Sequence, residues 1–434
     1  MKTELEYYEI LPKLLPADKE STVTIYPRGR QAEFERGQKY VITVRPLTEC
    51  DDRNRDRIKD YIVAETEPDE RGGFTFSHVF GGEQEHYVRV YKAPIVDGGR
   101  NDKLVQLSVY SLKPDLYGLK PLRGDLHVHT FRSDGREAPE IVCANYRKAG
   151  FDFMTITDHR RFFPSLEAID AYREIPTALK IFKGEEVHAP DNHVHIINFA
   201  GDISVNECFQ ADEETYYQEV RQIEAALPDL GEGVDRFVYA SCKWCYDKIR
   251  SGGGLAIYAH PHWRNDVYNV SDAMSRAQFQ NRLFDCFELL NGMEARSNNL
   301  QTAFYQQMRA EGCAVPVVGS SDSHGTVNRD NFQWLETVVF APSDSREDII
   351  ESIKAGRSTA LEQYPQEYQR AFGDYRYVMY TLFLLEDYFP RHDELCYEEG
   401  RLMKEALLGD KEAVRLLAEI KDRAAAYLDR CYRG

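Results

Sequence analysis

Between residues 125 and 324 the chain repeats one arrangement, a short apolar run that ends in histidine or a carboxylate. The fragments are Asp125-Leu126-His127-Val128-His129-Thr130, Ser133-Asp134-Gly135, Ile156-Thr157-Asp158-His159, Gly184-Glu185-Glu186-Val187-His188, His193-Val194-His195, Ala259-His260-Pro261-His262 and Ser321-Asp322-Ser323-His324. Nine of the twelve histidines fall between His127 and His324. A packed core has no need of so many imidazoles and carboxylates, because unpaired polar groups are costly to bury. Several cations held at strand ends do need them.

The same region alternates strand-like and helix-like segments. Apolar runs at 125–129, 151–157, 179–187, 194–199, 255–259, 284–290 and 315–320 interleave with amphipathic stretches at 137–149, 213–227, 243–251, 298–311 and 346–355. Repeated β-α alternation predicts an α/β fold with a mostly parallel sheet, open or closed into a barrel. The histidines and carboxylates lie at or just past the C-terminal ends of the strands, the active-site face of such barrels. His127 and His129 are two apart, so on a strand they project from one face.

Residues 20 to about 113 read differently, as short partly alternating strands separated by turn signals such as Asp97-Gly98-Gly99-Arg100-Asn101-Asp102. That pattern predicts a small antiparallel β-sandwich. The expected domains are 1–120 (sandwich), 121–358 (α/β) and 359–434, a helical tail. In the tail, Tyr375–Phe389 is stopped by Pro390, Gly409 ends a helix over 396–408, and Asp410 caps 411–431.

At 434 residues the chain is long enough for two or three domains. Its formal net charge of -18 opposes non-specific binding to nucleic acid or an anionic membrane. A nucleotide substrate stays open, because bound metals make one pocket locally positive. No signal peptide and no apolar run of transmembrane length is apparent, and nine scattered cysteines do not read as a disulfide framework. These features lead us to expect a cytoplasmic protein with reduced thiols. Cys242-Lys243-Trp244-Cys245 has no second pair and lies inside a predicted helix, so it reads as structural.

Taken in order, His127-Val128-His129, Ser133-Asp134-Gly135, Thr157-Asp158-His159, Gly184-Glu185-Glu186, His260-Pro261 and Asp322-Ser323-His324 resemble the PHP (polymerase and histidinol phosphatase) family. Gly184–His188 and His193–Phe199 are most similar to its CehA/McbA branch. The resemblance implies a distorted (β/α)7 barrel and two or three divalent metals, Mn, Fe or Zn, in a centre that is trinuclear when full. It implies that His127, His129 and Asp322 hold one ion and share Glu186 with a second. The second also takes His195 and His260, and a third is bound by Asp134, His159 and His324. Glu185 and Glu186 are neighbours, so only one faces the pocket, and the family's Gly-x-Glu-apolar pattern selects Glu186. His188 and His193 are extra to the pattern.

Two close metals acidify a water and polarise the bond under attack, and a third clamps a phosphate monoester. His262 is a candidate proton donor to the leaving group. Arg160, with Arg161 and Arg264, is a candidate for anion binding, and Asp158 for orienting its neighbours. The expected function is a metal-dependent phosphoesterase acting on a small phosphorylated metabolite or a nucleotide. The alternatives are a carbamate, ester or amide hydrolase and a catalytically silent binding protein. No stable nucleic-acid partner and no membrane partner is expected, and an oligomer is compatible with the sequence. The β domain and the tail carry no motif that assigns them a role.

Overall fold

The structure is a computed structural model that describes residues 2, 4–48, 60–94, 103–327 and 331–434. It is a mixed α/β protein that divides into two compact units. One comprises Met1–Leu119, Val378–Glu394 and Asp422–Gly434, and the other Lys120–Tyr377 and Leu395–Lys421. The turn read at 97–102 lies outside the described residues, as does Cys50.

In the first unit a short helix, α1 (Glu4–Tyr7), precedes the strands. β1 (Tyr8–Leu11), β3 (Glu20–Pro27) and β6 (Phe74–Val79) form an antiparallel sheet in the order β1-β3-β6. β2 (Leu14–Pro16), β4 (Tyr40–Pro46), β5 (Tyr61–Thr66), β7 (Gln84–Lys92) and β8 (Lys103–Leu112) form a second sheet, ordered β2-β8-β7-β4-β5. Alternate residues of both enter one core: Val23, Ile25, Phe74 and Phe76 from the first, and Ile42, Val44, Val88, Val90, Leu107 and Val109 from the second. This is the period-two signature of half-buried strands.

His86 of β7 is buried in this unit, its Nε2 2.8 Å from Ser111 Oγ. Burial pushes its pKa down to about 4. The unfolded chain therefore binds the proton more readily between the ordinary histidine pKa and that value, so stability is lost as pH falls through this window. The loss reaches about 3 kcal/mol by pH 4. Urea unfolding at stepped pH, compared with His86→Asn, is expected to show this slope in the parent and its loss in the variant.

The second unit holds two sheets. β9 (Lys120–Asp125), β10 (Phe153–Thr155), β11 (Lys180–Phe182), β17 (Leu335–Ala341), β18 (Ser358–Glu362) and β19 (Arg370–Phe372) are ordered β11-β10-β9-β17-β18-β19. β12 (Gly184–Val187), β13 (Ile196–Phe199), β14 (Leu255–Tyr258), β15 (Cys286–Leu290) and β16 (Val317–Gly319) are ordered in sequence. Strand β13 runs antiparallel to both β12 and β14, whereas β14, β15 and β16 are parallel. Single parallel bridges, Val128–Ser323 and His159–Glu186, link the residues after β9 and β10 to those of the second sheet.

Helices occupy most of the crossovers. They are α2 (Pro139–Lys148) after β9, α3 (Phe163–Ala171) after β10, and α4 (Val205–Ala211), α5 (Glu213–Ala226) and α6 (Arg236–Ser251) before β14. Then come α7 (Asp272–Gln280), α8 (Ala295–Ala310) and α9 (Arg346–Lys354). Side chains of Ser204, Asp212, Asp235, Ser271 and Ser345 cap α4, α5, α6, α7 and α9 by accepting a backbone N–H of the first turn. The strands are covered on both faces, which explains their continuous apolar runs. In β14, Leu255 and Ile257 pack with Phe199 and Val318, while Ala256 and Tyr258 pack with Cys245 and Phe279.

Three readings of the sequence need correction. The run at 179–187 is two strands in different sheets, β11 and β12, separated at Lys183. The residues from 359 onward are not a helical tail alone, because Ser358–Glu362 and Arg370–Phe372 pair antiparallel with β17 and with each other. The helices α10 (Tyr375–Asp387), α11 (Phe389–Leu407), α12 (Lys411–Ile420) and α13 (Arg423–Arg433) are then shared between the two units. Pro390 does not end a helix but sits in the first turn of α11, where its missing N–H costs nothing. Gly409 (φ +90°) and the Asp410 cap fall where the sequence puts them. Cys242 and Cys245 are buried free thiols within α6. No helix among the described residues is long and apolar enough to cross a membrane.

Candidate metal centre

The elements of the second unit converge on one carboxylate. Glu186 is fully buried near the end of β12. Its Oε1 lies 2.8 Å from His195 Nδ1 and 3.3 Å from His260 Nε2. Its Oε2 lies 3.6 Å from the Nε2 atoms of His127 and His129 and 3.4 Å from His188 Nε2, and it touches His159 Nδ1. The strand directions account for this. His127, His129, His159 and His260 follow strands that run toward the site, whereas His195 precedes β13, which runs the other way. The reversed strand brings its N-terminal end, not its C-terminal end, to the shared mouth.

Asp322 Oδ1 is 2.9 Å from His129 Nε2 and 3.3 Å from His127 Nε2. Asp134, more exposed, faces His159 Nε2 at 3.4 Å and His324 Nε2 at 3.3 Å. The structure thus brings all nine expected ligands together: His127, His129, Asp134, His159, Glu186, His195, His260, Asp322 and His324. It adds His188, whose Nε2 is 3.0 Å from His159 Nδ1. His193 is exposed and is not among the clustered groups.

Glu185 faces away, as strand alternation demands. Its carboxylate accepts from Asn198 Nδ2, Ser204 Oγ and Asn206 Nδ2 at 3.0, 2.9 and 2.8 Å. Gly184 is required by close approach, since a Cβ there would lie 2.3 Å from Thr155 Oγ1. Gly135 is required likewise, since a Cβ would come within 2.7 Å of the His129 carbonyl. His260 and Asp322 have φ of +24° and +49°. For residues with a Cβ this costs on the order of 1–3 kcal/mol and persists where the surroundings over-determine it, commonly at functional sites.

These donors fit divalent cations. Glu186 Oε2 and Asp322 Oδ1 are buried and accept no hydrogen bond among the described residues, although imidazole nitrogens surround both. His127 Nε2 and His129 Nε2 face each other at 3.1 Å, an arrangement suited to two lone pairs on a shared ion. The electrostatics agree. Burial alone would raise the Glu186 pKa, but His195, His127 and His188 hold it well below the usual carboxylate range. His127 and His129 do the same for Asp322 against the same burial penalty. Burial pushes the His195 imidazole down to about 4.

The reading of the sequence missed Glu288. It lies on β15, accepts His127 Nδ1–H at 3.0 Å, and takes the His260 N–H at 3.2 Å and Asn291 Nδ2 at 3.0 Å. A carboxylate that orients a ligand histidine fixes its tautomer and raises its basicity. The available signal was an acid, one of two with Asp285, inside the apolar run 284–290. Glu288→Gln is expected to weaken metal binding about 10- to 100-fold without unfolding the chain, as read by chelator competition.

Asp158 is buried away from the ligand atoms. It accepts Thr130 N–H and O–H at 2.9 and 2.6 Å and Ser133 N–H at 3.1 Å, and so pins the loop that carries Asp134. Arg160 is exposed, and its N–H donates to the Glu186 carbonyl at 3.0 Å. Arg264 pairs with Glu294 at 2.9 Å, and Arg161 is exposed. His262 is not brought into the cluster. It is buried beside Tyr268 and Phe304, ring centroids 5.7 and 5.5 Å away, with Asp272 4.0 Å from its Nε2.

No protein-family model matches the chain. Over 118 residues it is 27% identical to the DNA polymerase/3'-5' exonuclease PolX of Bacillus subtilis, a match covering 27% of this chain and 20% of that protein. The chain thus spans about a fifth of that relative's length. Among solved structures, a two-domain Bacteroides vulgatus protein described as containing a PHP-like metal-dependent phosphoesterase is 18% identical, with TM-score 0.39, over 57% of this chain and 66% of its own. A Bifidobacterium adolescentis protein described as a metal-dependent phosphoesterase is 21% identical, with TM-score 0.34, over 47% of this chain and 88% of its own. An amidohydrolase from Chromobacterium violaceum is also 21% identical, with TM-score 0.33 over the same shares. The chain is similar to PHP-like metal-dependent phosphoesterases.

Proposed function

We propose that the chain is a metal-dependent hydrolase of the PHP type that cleaves phosphoesters of a small phosphorylated metabolite or a nucleotide. The observation that carries this reading is Glu186, a buried carboxylate among six imidazoles whose Oε2 accepts no hydrogen bond among the described residues. A distorted seven-stranded barrel is supported by the two parallel bridges. With them, β9, β10, β12, β13, β14, β15 and β16 form a ring of seven in which β13 alone is reversed.

In this reading His127, His129 and Asp322 hold one ion, and His195 and His260 a second that shares Glu186. Asp134, His159 and His324 hold a third. Mn, Fe or Zn bound there would acidify a water and polarise the phosphorus–oxygen bond. The chain's other residues act by position. Glu288 fixes the His127 ring, Asp158 fixes the Asp134 loop, and Arg160 offers an exposed guanidinium one residue beyond His159 for an anionic substrate. The stretches Gly184–His188 and His193–Phe199 favour the CehA/McbA-like branch.

A panel of phosphorylated metabolites, nucleotides and an aryl phosphate, assayed with Mn²⁺, Fe²⁺ and Zn²⁺, tests the proposal. Turnover of phosphoesters that disappears in Asp322→Asn is the expected result. Turnover of aryl esters or carbamates, with no phosphoester cleaved, overturns the phosphoesterase assignment.

A further inference from the structure

Beside the metal centre a cavity of about 980 Å³ opens between the loop after β14 and helices α7 and α8. Trp263 forms its boundary with the centre, the indole lying 6.3 Å from the His195 ring and 6.4 Å from the His260 ring. Val267, Tyr268, Leu300 and Phe304 supply apolar and aromatic surface to a wall that also carries many polar side chains. Trp263 is 41% exposed, Leu300 37% and Val267 77%. Three large apolar side chains left open at one cavity mark a place where something apolar is bound.

Two polar groups on the wall are waiting for partners. His262 Nδ1 and Asn269 Nδ2 are buried and make no hydrogen bond among the described residues. Leaving such groups unpaired costs roughly the desolvation of each, which a bound polar edge would recover. The charges argue against a second anionic group. Arg276, the one arginine or lysine on the wall among the described residues, is engaged by Glu311 at 3.1 Å and lies 5.6 Å from the Phe304 ring, while Asp266 and Asp272 add negative charge.

We propose that this cavity is the leaving-group subsite, and that it takes a planar aromatic group without net charge but with a polar edge, an aryl or nucleobase ring. The group stacks on Trp263, and His262 and Asn269 hydrogen-bond its edge. His262 is then a specificity residue and not the proton donor its sequence position suggests. This assignment rests on the hydrolase reading for its role but not for its binding.

Fluorescence of Trp263 reads the binding without turnover. Adenosine or benzyl alcohol at about 10 mM is expected to quench it, while ribose is not. The quench is absent in Trp263→Phe and weakened about tenfold in Leu300→Asp, a change on an exposed helix position. In the same variant the preference in kcat/KM for phenyl over methyl phosphate falls about tenfold, the intrinsic leaving-group difference cancelling against the parent. Response to one aromatic probe alone identifies the ring class. No quench with either probe, or an equal response in Trp263→Phe, overturns the proposal. Quenching without cleavage of any phosphoester leaves the subsite standing and removes the phosphoesterase reading instead.

Discussion

Glu186→Gln is expected to lower the turnover number on the order of 10³-fold or more and to strip at least one metal ion from each chain. The two side chains have nearly the same shape, so the effect is one of charge. In the parent the carboxylate stands among His127, His129, His159, His188, His195 and His260, the farthest nitrogen 3.6 Å away. An amide cannot serve as an anionic bridge, and its NH₂ would point donors at nitrogens that need their lone pairs for metal. Glu185→Gln is the matched control. Its carboxylate accepts from Asn198, Ser204 and Asn206 on the far side of β12, so this change is expected to cost about 1–3 kcal/mol of stability while metal content stays the same. Metal analysis and steady-state kinetics on the two variants separate the roles of adjacent glutamates that the sequence alone leaves side by side.

Arg147→Met is expected to destabilise the second unit by about 3–5 kcal/mol, the largest effect anticipated away from the metal centre. Among the described residues Arg147 is the largest fully buried side chain. Its Nε donates to Glu399 at 2.8 Å, and an Nη donates to the Phe151 carbonyl at 3.0 Å and to Asp152 at 3.2 Å. Glu399 in turn accepts from Thr177 Oγ1 at 2.9 Å and the Ala178 N–H at 2.6 Å. The network ties α2 to α11, two helices pressed so closely that a Cβ on Gly400 would lie 2.2 Å from the Lys148 nitrogen. Methionine matches the volume but leaves Glu399 charged and buried without its partner. The double variant Arg147→Met with Glu399→Leu is expected to recover only part of the loss, because Thr177 and Ala178 lose their acceptor. Urea unfolding followed by circular dichroism measures both.

Much of the centre was legible because a metal site leaves its mark on residue type. His127 with His129, His260 and Asp322 with His324 all stand at the edge of an apolar run, where a packed core has little use for them. Helices with a polar cap and a clear amphipathic stripe, such as α5 and α9, fell within a residue or so of the expected bounds. What could not be read depended on direction and partnership. Nothing in Ile196–Phe199 says that it runs against its neighbours, yet that reversal is what delivers His195 to Glu186. The run 179–187 hides a break at Lys183, because a strand leaving one sheet for another keeps its apolar character. Glu288 carries no motif of its own, and its role shows only where His127 stands opposite it. His262, two residues from His260, looked like a proton donor at the site. The left-handed backbone at His260 turns the chain at this point, and His262 lines the neighbouring cavity instead.

The central claim is that the groups around Glu186, Asp322 and Asp134 are a multinuclear metal site. Metal content per chain, measured by elemental mass spectrometry on protein purified without chelator and with Mn, Fe and Zn supplied, tests it most directly. Two or three bound ions per folded chain are predicted, falling by at least one in Glu186→Gln. Well under one ion per chain in a fully folded sample would contradict the claim.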